Sequence, residues 1–316
     1  MVRRMTVRRL LSLLTNRTFI LLAAFAGGLI FGGAASAVGF LTIPALVVIL
    51  TVSTMQFSAR EFIPPTRVIR PVLTALVFNF ALLGSVILVL AWWLMPSREL
   101  WVGCVLVAVA PPGVAIIPFT HVLRGDSRLS TQGTFGAYLV CLLLTPALIR
   151  LLTGTSTVSP SALFRIILLL VLVPFIAAQL INKSPAARCI RRWRGNIINW
   201  GFFFVIFTVV GLNRTVFLSE PKVLAAVSVP AVASSFGLCF VVDSLGKRVG
   251  AAQATRSSAI LLSTIKNSAF AAALGLSLYG EASSVAGAVF SAWYALYFIY
   301  LGIKGDRERV LSPDRS

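Results

Sequence analysis

Apolar runs of similar length follow one another along nearly the whole chain, separated by short stretches rich in Arg, Gly and Pro. About 20 apolar helical residues suffice to cross a ~30 Å hydrocarbon layer. Read between the polar punctuation, ten spans are predicted, at about 18–36, 39–56, 71–95, 100–123, 129–152, 161–182, 196–215, 222–243, 251–279 and 283–303. The basic residues give an independent test of this frame. Ahead of span 1, between spans 2 and 3, 4 and 5, 6 and 7, and 8 and 9, and after span 10, they number 22; the opposite side has 5, Arg98, Arg150, Arg165, Arg214 and Lys222. Lys and Arg are retained in cytoplasmic loops, so an even number of spans places both termini in the cytoplasm. A multi-pass protein of the cell (inner) membrane is expected.

Ten spans divide into five and five, 1–156 and 157–316. An odd number per half forces the halves into opposite orientations, which is the inverted-repeat design of secondary transporters. The fourth span of each half is interrupted. Span 4 contains "VAPPGVAIIPFTH", with Pro111, Pro112, Gly113 and Pro118 inside a membrane-length segment, and span 9 contains Ser263, Thr264, Lys266, Asn267 and Ser268. Proline removes a backbone donor and clashes with the preceding turn. Irregular backbone at membrane depth is tolerated only where protein buries it or it lines a wet cavity. Two matched interruptions therefore predict a central site rather than two harmless kinks.

Composition agrees with this frame. With 58% hydrophobic and 12% charged side chains and a mean hydropathy of +0.94, the chain has too little polar surface to coat a soluble globule. The net charge of +19 sits in loops between spans, so it reports topology and not nucleic-acid binding. The basic stretch "RCIRRWRG" at 188–195 reads as a loop that holds its side in the cytoplasm and touches anionic lipid. The Arg-rich start also has the form of a secretory leader, with "GGAASA" offering small residues of cleavage-site type. The next span follows at once, which favours a cytoplasmic tail.

Trp92, Trp93, Trp101, Trp193 and Trp200 lie near span ends, as in an interfacial belt. Cys104, Cys141, Cys189 and Cys239 show no metal-ligand spacing and read as small apolar filler. His121 has no partner His, Cys or acid cluster, so no metal is expected there.

Lys266 is the outstanding residue, since an ammonium at the centre of a membrane helix costs about 2.5–3.5 kcal/mol on insertion scales and usually faces a partner or cavity. All nine acids, Glu61, Glu99, Asp126, Glu220, Asp243, Glu281, Asp306, Glu308 and Asp314, fall in or near predicted loops and span ends. Neutral oxygens are the expected partners. Ser130 and Thr134, four residues apart on one helical face, are candidates together with Asn79, Asn267 and carbonyls exposed at the breaks.

At these residues the chain resembles the bile acid:sodium symporter family, its bacterial members included. "APPGVAIIPFTHVLRGD", Ala110 to Asp126, lines up with the family's C-P-G-G-T-A-S-N and later R/K-G-D/N, keeping Pro111, Gly113, Ala115, Thr120, Arg124, Gly125 and Asp126. The family's L-S-x-x-x-T and T-P are matched by Leu129, Ser130, Thr134, Thr145 and Pro146, and its E-x-G-x-Q-N-S/G-x-x-A by "LSTIKNSAFA" with Asn267 and Ser268 retained. The tail "GAVFSAWYALYFIYLG" is similar to the family's last helix.

This resemblance implies an all-α, ten-helix membrane fold with a panel domain and a core domain in which helices 4 and 9 cross while broken. It also implies that two sodium ions would be held by the Ser-Asn pair of helix four, the Ser and Thr of helix five, the Glu and Gln of helix nine and a Gln of helix three. Here the Ser-Asn pair is Ile116-Ile117, the Glu is Leu262, the Gln of helix nine is Lys266 and Asn79 stands at the helix-three position; Ser130 and Thr134 remain. Sodium needs several oxygen ligands. Two-sodium coupling is therefore expected to be absent, with Lys266 in place of a bound cation.

The expected activity is sodium-independent secondary transport of a small organic, anionic solute by alternating access. Three roles stay open for Lys266: a permanent structural cation, an anion-binding charge assisted by half-helix N-termini, or a side chain that gains and loses a proton and couples it to transport. Sodium-independent uniport or exchange and a non-transporting membrane receptor or scaffold are the alternatives. No embedded carboxylate pair, His cluster or Ser-His-Asp arrangement suggests an enzyme. The implied partners are the solute and the lipid bilayer, not nucleic acid, and no cofactor is called for.

Overall fold

The computed structural model describes residues 14–55, 66–154 and 160–311, and every regular element among them is helical. In chain order these are α1 (Arg17–Ile30), α2 (Gly32–Val38), α3 (Thr42–Thr54), α4 (Thr66–Leu76), α5 (Ser85–Leu94), α6 (Arg98–Val109), α7 (Ile116–Val122), α8 (Ser127–Thr153), α9 (Pro160–Asn182), α10 (Ala186–Leu212), α11 (Arg214–Ser219), α12 (Pro221–Val232), α13 (Leu238–Arg248), α14 (Gln253–Thr264), α15 (Ser268–Leu278) and α16 (Glu281–Leu311). A π-helical segment, Val77–Gly84, joins α4 to α5, and a second, Ala233–Gly237, joins α12 to α13.

Six helices among the described residues are long and apolar enough to cross a membrane: Gly32–Thr54, Val68–Leu94, Ser127–Thr153, Ala186–Leu212, Pro221–Arg248 and Glu281–Arg307. Shorter apolar helices include Phe19–Ile30, Leu172–Asn182 and Ser268–Leu278. Large apolar side chains such as Trp92, Trp93, Leu143, Leu151 and Phe240 project outward. In a water-soluble protein they would form costly exposed surface; in a bilayer they face hydrocarbon.

Local chemistry sets the helix ends. Side-chain oxygens of Asn16, Ser97, Asp126 and Asn267 accept from the backbone N–H three residues on, at 3.1, 3.3, 2.9 and 3.1 Å, and start α1, α6, α8 and α15. Gly154, at φ 59°, ends α8 in the left-handed conformation that glycine adopts without strain.

Two expectations from the sequence are corrected. The stretch 188–195 is no loop: it lies within α10, which begins ten residues ahead of the predicted span 7. Arg and Ala are good helix formers, so a run of exposed Arg side chains does not stop a helix. Cys104, Cys141 and Cys239 are buried as filler requires, but Cys189, in the same basic turn of α10, is exposed.

The helices fall into two packing groups. α1 and α3 pack on α10, and α3 also packs on α9, whereas α6, α15 and α16 pack together beside the pairs α4–α8 and α13–α14. Gly28 and Gly211 allow the first group to close tightly. A Cβ on Gly28 would lie 2.8 Å from the Phe207 carbonyl, and one on Gly211 would overlap the Ala35 Cβ. Small residues at facing positions bring membrane helices into backbone contact, where dispersion replaces the missing hydrophobic drive.

Candidate functional site

Both interruptions predicted from the sequence are real breaks, and they meet. α6 stops at Val109 because Pro111 and Pro112 cannot donate to the preceding turn, and the chain leaves Ala110 extended, with ψ 151°. α14 stops at Thr264; Ile265 is extended (φ −121°, ψ 110°) and Asn267 caps α15. The two extended stretches run antiparallel. Gly113 N–H donates to the Ile265 carbonyl at 3.1 Å and Asn267 N–H donates to the Pro111 carbonyl at 3.0 Å, so Pro112 and Lys266 stand opposite one another in a single bridge.

Further backbone groups at the breaks also find partners, as a buried site demands. Thr145 Oγ1 donates to the Val109 carbonyl at 2.8 Å. Asn79 Nδ2, within the first π segment, donates to the carbonyls of Leu262 and Ile265 at 2.9 and 3.1 Å. Lys266 N–H donates to Tyr294 Oη at 3.1 Å, and Asn267 Nδ2 donates to Tyr138 Oη at 3.2 Å. Gly113 is required here: a Cβ would fall 2.6 Å from Ile265 Cγ2 and 3.0 Å from the Lys266 carbonyl.

Lys266 is 2% exposed. Its Nζ donates to the Ala110 carbonyl at 2.9 Å and lies 3.9 Å from the Phe80 ring centroid, a cation–π contact. Among the described residues no carboxylate pairs with it. Of its expected partners, a carbonyl freed at the break takes the ammonium, and the fifth-span hydroxyls do not. Ser130 Oγ donates instead to Ser258 Oγ at 2.9 Å, and Ser258 Oγ donates to the Asp126 carbonyl at 3.1 Å. Thr134 Oγ1 and Asn79 Oδ1 are buried without a partner.

The other candidate residues are distributed as follows. Ile116, Ile117 and Leu262 are buried, Ile116 and Leu262 within the main apolar cluster and Ile117 against Phe135. Ser263 Oγ and Thr264 Oγ1 both donate back to the Ile260 carbonyl, at 3.0 and 2.7 Å, and Thr264 Oγ1 also accepts from Tyr297 Oη at 3.0 Å. Residues with no individual signal in the sequence complete the site: Phe80, Ala110, Tyr138, Ser258 and Tyr294. Thr145 was visible only as half of a T-P pair.

A cavity of about 40 Å³ opens beside the bridge, between Phe202 and Ile206 of α10 on one wall and Lys266, Asn267, Ser268 and Tyr294 on the other. An adjoining apolar cavity of about 250 Å³ shares Leu21, Ile206, Ser291 and Ala295 with it. The site thus lies where the two packing groups face each other.

Paired broken helices, bridged at their unwound segments beside a cavity between two helix groups, define a multi-pass membrane protein of transporter type. The chain belongs to the sodium bile acid symporter family, whose sequence profile matches residues 43–220. It is also similar to a Bacillus subtilis (strain 168) protein described as an uncharacterized sodium-dependent transporter, YocS, with 27% identity over 247 residues, 77% of this chain and 75% of that relative.

The residues present do not fit the sodium ligands that the resemblance implies. Ile116, Ile117 and Leu262 carry no oxygen on their side chains, the amide nitrogen of Asn79 already donates to the Leu262 and Ile265 carbonyls, and the Lys266 side chain, bonded to the Ala110 carbonyl, stands where the resemblance implies a Gln. Of the oxygens that remain at those positions, Thr134 Oγ1 and Asn79 Oδ1 are buried without a partner and Ser130 Oγ is bonded to Ser258.

Proposed function

We propose that this protein is a secondary transporter of a small organic, anionic solute. It works by alternating access in a ten-span, 5+5 inverted-repeat fold, with the group of α1, α3, α9 and α10 acting as panel and the helices around the breaks as core. The matched irregularities support the repeat: spans 3 and 8 each contain a π segment, and spans 4 and 9 are each broken. The 22 to 5 distribution of basic residues supports cytoplasmic termini.

One observation carries the coupling reading. The Lys266 ammonium, on a carbonyl of the opposite break, puts a covalently attached cation where relatives are expected to hold a mobile one. Transport then proceeds without two-sodium coupling, and a cation fixed beside the solute cavity favours an anionic cargo. Uptake into proteoliposomes, screened over bile acids, keto acids and other small carboxylates, tests this. Flux should be the same with sodium or choline outside. Sodium-driven accumulation, or no carboxylate flux at all, would overturn the proposal.

A further inference from the structure

A third cavity, of about 30 Å³, is lined by Ser53 of α3, by Arg194, Ile198 and Phe202 of α10, and by Val114, Ala115 and Pro118 at and beyond the first break. It shares Val114, Ala115 and Phe202 with the cavity at the bridge, so the two are neighbours along one passage between the helix groups. Two of its polar groups are unmet. Ser53 is 4% exposed and its Oγ has no partner. Arg194 is partly buried, and among the described residues it makes no hydrogen bond or ion pair.

We propose that Arg194 and Ser53 form an oxyanion subsite that takes the carboxylate of the solute before it reaches the bridge. This rests on the transporter reading above. A guanidinium presents a rigid fork of donors that matches a carboxylate with two parallel hydrogen bonds, and a hydroxyl adds a third donor. The other walls are apolar, so a neutral or cationic head would gain little there and would leave the guanidinium uncompensated. Arg194 and Ser53 both stand on the panel group, so sliding the core past it takes away only the apolar wall of Val114, Ala115 and Pro118 and opens the subsite, which suits a transient stop better than a storage site. The basic stretch of α10 thereby acquires a task besides topology: Arg194 turns inward while Arg188, Arg191 and Arg192 stay exposed.

The test uses the full chain in phosphatidylcholine nanodiscs and equilibrium ¹⁹F NMR with 3,3,3-trifluoropropionate, against its neutral amide. The carboxylate should bind saturably and the amide should not. Arg194→Gln should weaken carboxylate binding about tenfold or more and Ser53→Ala several-fold, with Arg194→Lys in between. Arg192→Gln removes the same charge from an exposed site and should change the affinity less than about twofold. The proposal is overturned if the carboxylate does not bind or the amide binds equally. It also fails if Arg194→Gln behaves as wild type, or if Arg192→Gln matches it. Displacement by phosphatidylglycerol in the nanodisc would make the occupant a lipid headgroup and would overturn the solute assignment. No flux enters this measurement, so binding without transport would sink the transporter reading and leave the subsite standing.

Discussion

Lys266 Nζ and the carbonyl oxygen of Ala110 are 2.9 Å apart, linking the two broken helices through one side chain. Two opposing magnitudes decide what its removal does. Lys266→Met leaves a buried acceptor without its donor, at about 1–3 kcal/mol. It also relieves an ammonium buried at membrane depth, which costs about 2.5–3.5 kcal/mol. The expected outcome is a melting temperature close to wild type together with solute flux lowered at least about tenfold, since the charge at the cavity is gone. A loss of folding with flux per folded molecule intact would show Lys266 to be a structural cation only.

Gly113→Ala places a methyl group 2.6 Å from Ile265 Cγ2 and 3.0 Å from the Lys266 carbonyl. The isoleucine branch has room to shift only by disturbing a closely packed cluster, and the carbonyl belongs to the bridge itself. Overpacking of this kind costs about 1–3 kcal/mol. Thermal unfolding in detergent should show that loss, and Gly154→Ala, where no heavy atom lies within 4 Å of the added Cβ, should lose only the smaller amount set by its positive φ.

Much of this arrangement is legible in the sequence, and the reasons are local. The adjacent Pro111 and Pro112, followed by Gly113, and the polar run from Ser263 to Ser268 each interrupt an otherwise apolar span, so both breaks are readable. The pairing across them is not, because it depends on which carbonyls the fold brings near Lys266. Nothing in "VFNFALLG" marks a π segment: the extra residue per turn there is accommodated by tertiary packing, which turns Asn79 toward the end of α14. The Ser130–Ser258 bond joins residues 128 positions apart, beyond any periodicity argument. Arg194 was hidden in a charged run whose members look alike until α10 forms and one of them faces inward.

Asn79→Ala tests the cap that the π segment provides. Asn79 Nδ2 is the donor for the Leu262 carbonyl, while the Ile265 carbonyl keeps the Gly113 N–H as a second donor. One acceptor is therefore orphaned outright, at about 1–3 kcal/mol. Amide hydrogen exchange should rise across residues 262–270 and stay unchanged in α1, on the far packing group. Uniform protection in the variant would mean that Asn79 does not hold the break.

Asp243 gathers three cations and ties α13 to α14 and α16. Its Oδ1 accepts from Arg256 Nε at 2.7 Å, and its Oδ2 accepts from Lys304 Nζ at 2.9 Å and from Lys247 Nζ at 3.1 Å. These three contacts are not equivalent. The Lys247 side chain is 61% exposed, and an exposed pair four residues apart contributes about 0.3–0.5 kcal/mol, less as salt is added. The Arg256 and Lys304 side chains are 18% and 15% exposed, so their charged hydrogen bonds are shielded from water and contribute about 1.5–3 kcal/mol. Asp243→Asn should accordingly lower stability by roughly 2–4 kcal/mol, whereas Lys247→Gln should stay within about 0.5 kcal/mol of wild type. A double-mutant cycle of Asp243→Asn with Lys304→Met should return a coupling energy that survives 0.5 M salt. A coupling that vanished in salt would show the cluster to be solvated and of no consequence for holding the three helices together.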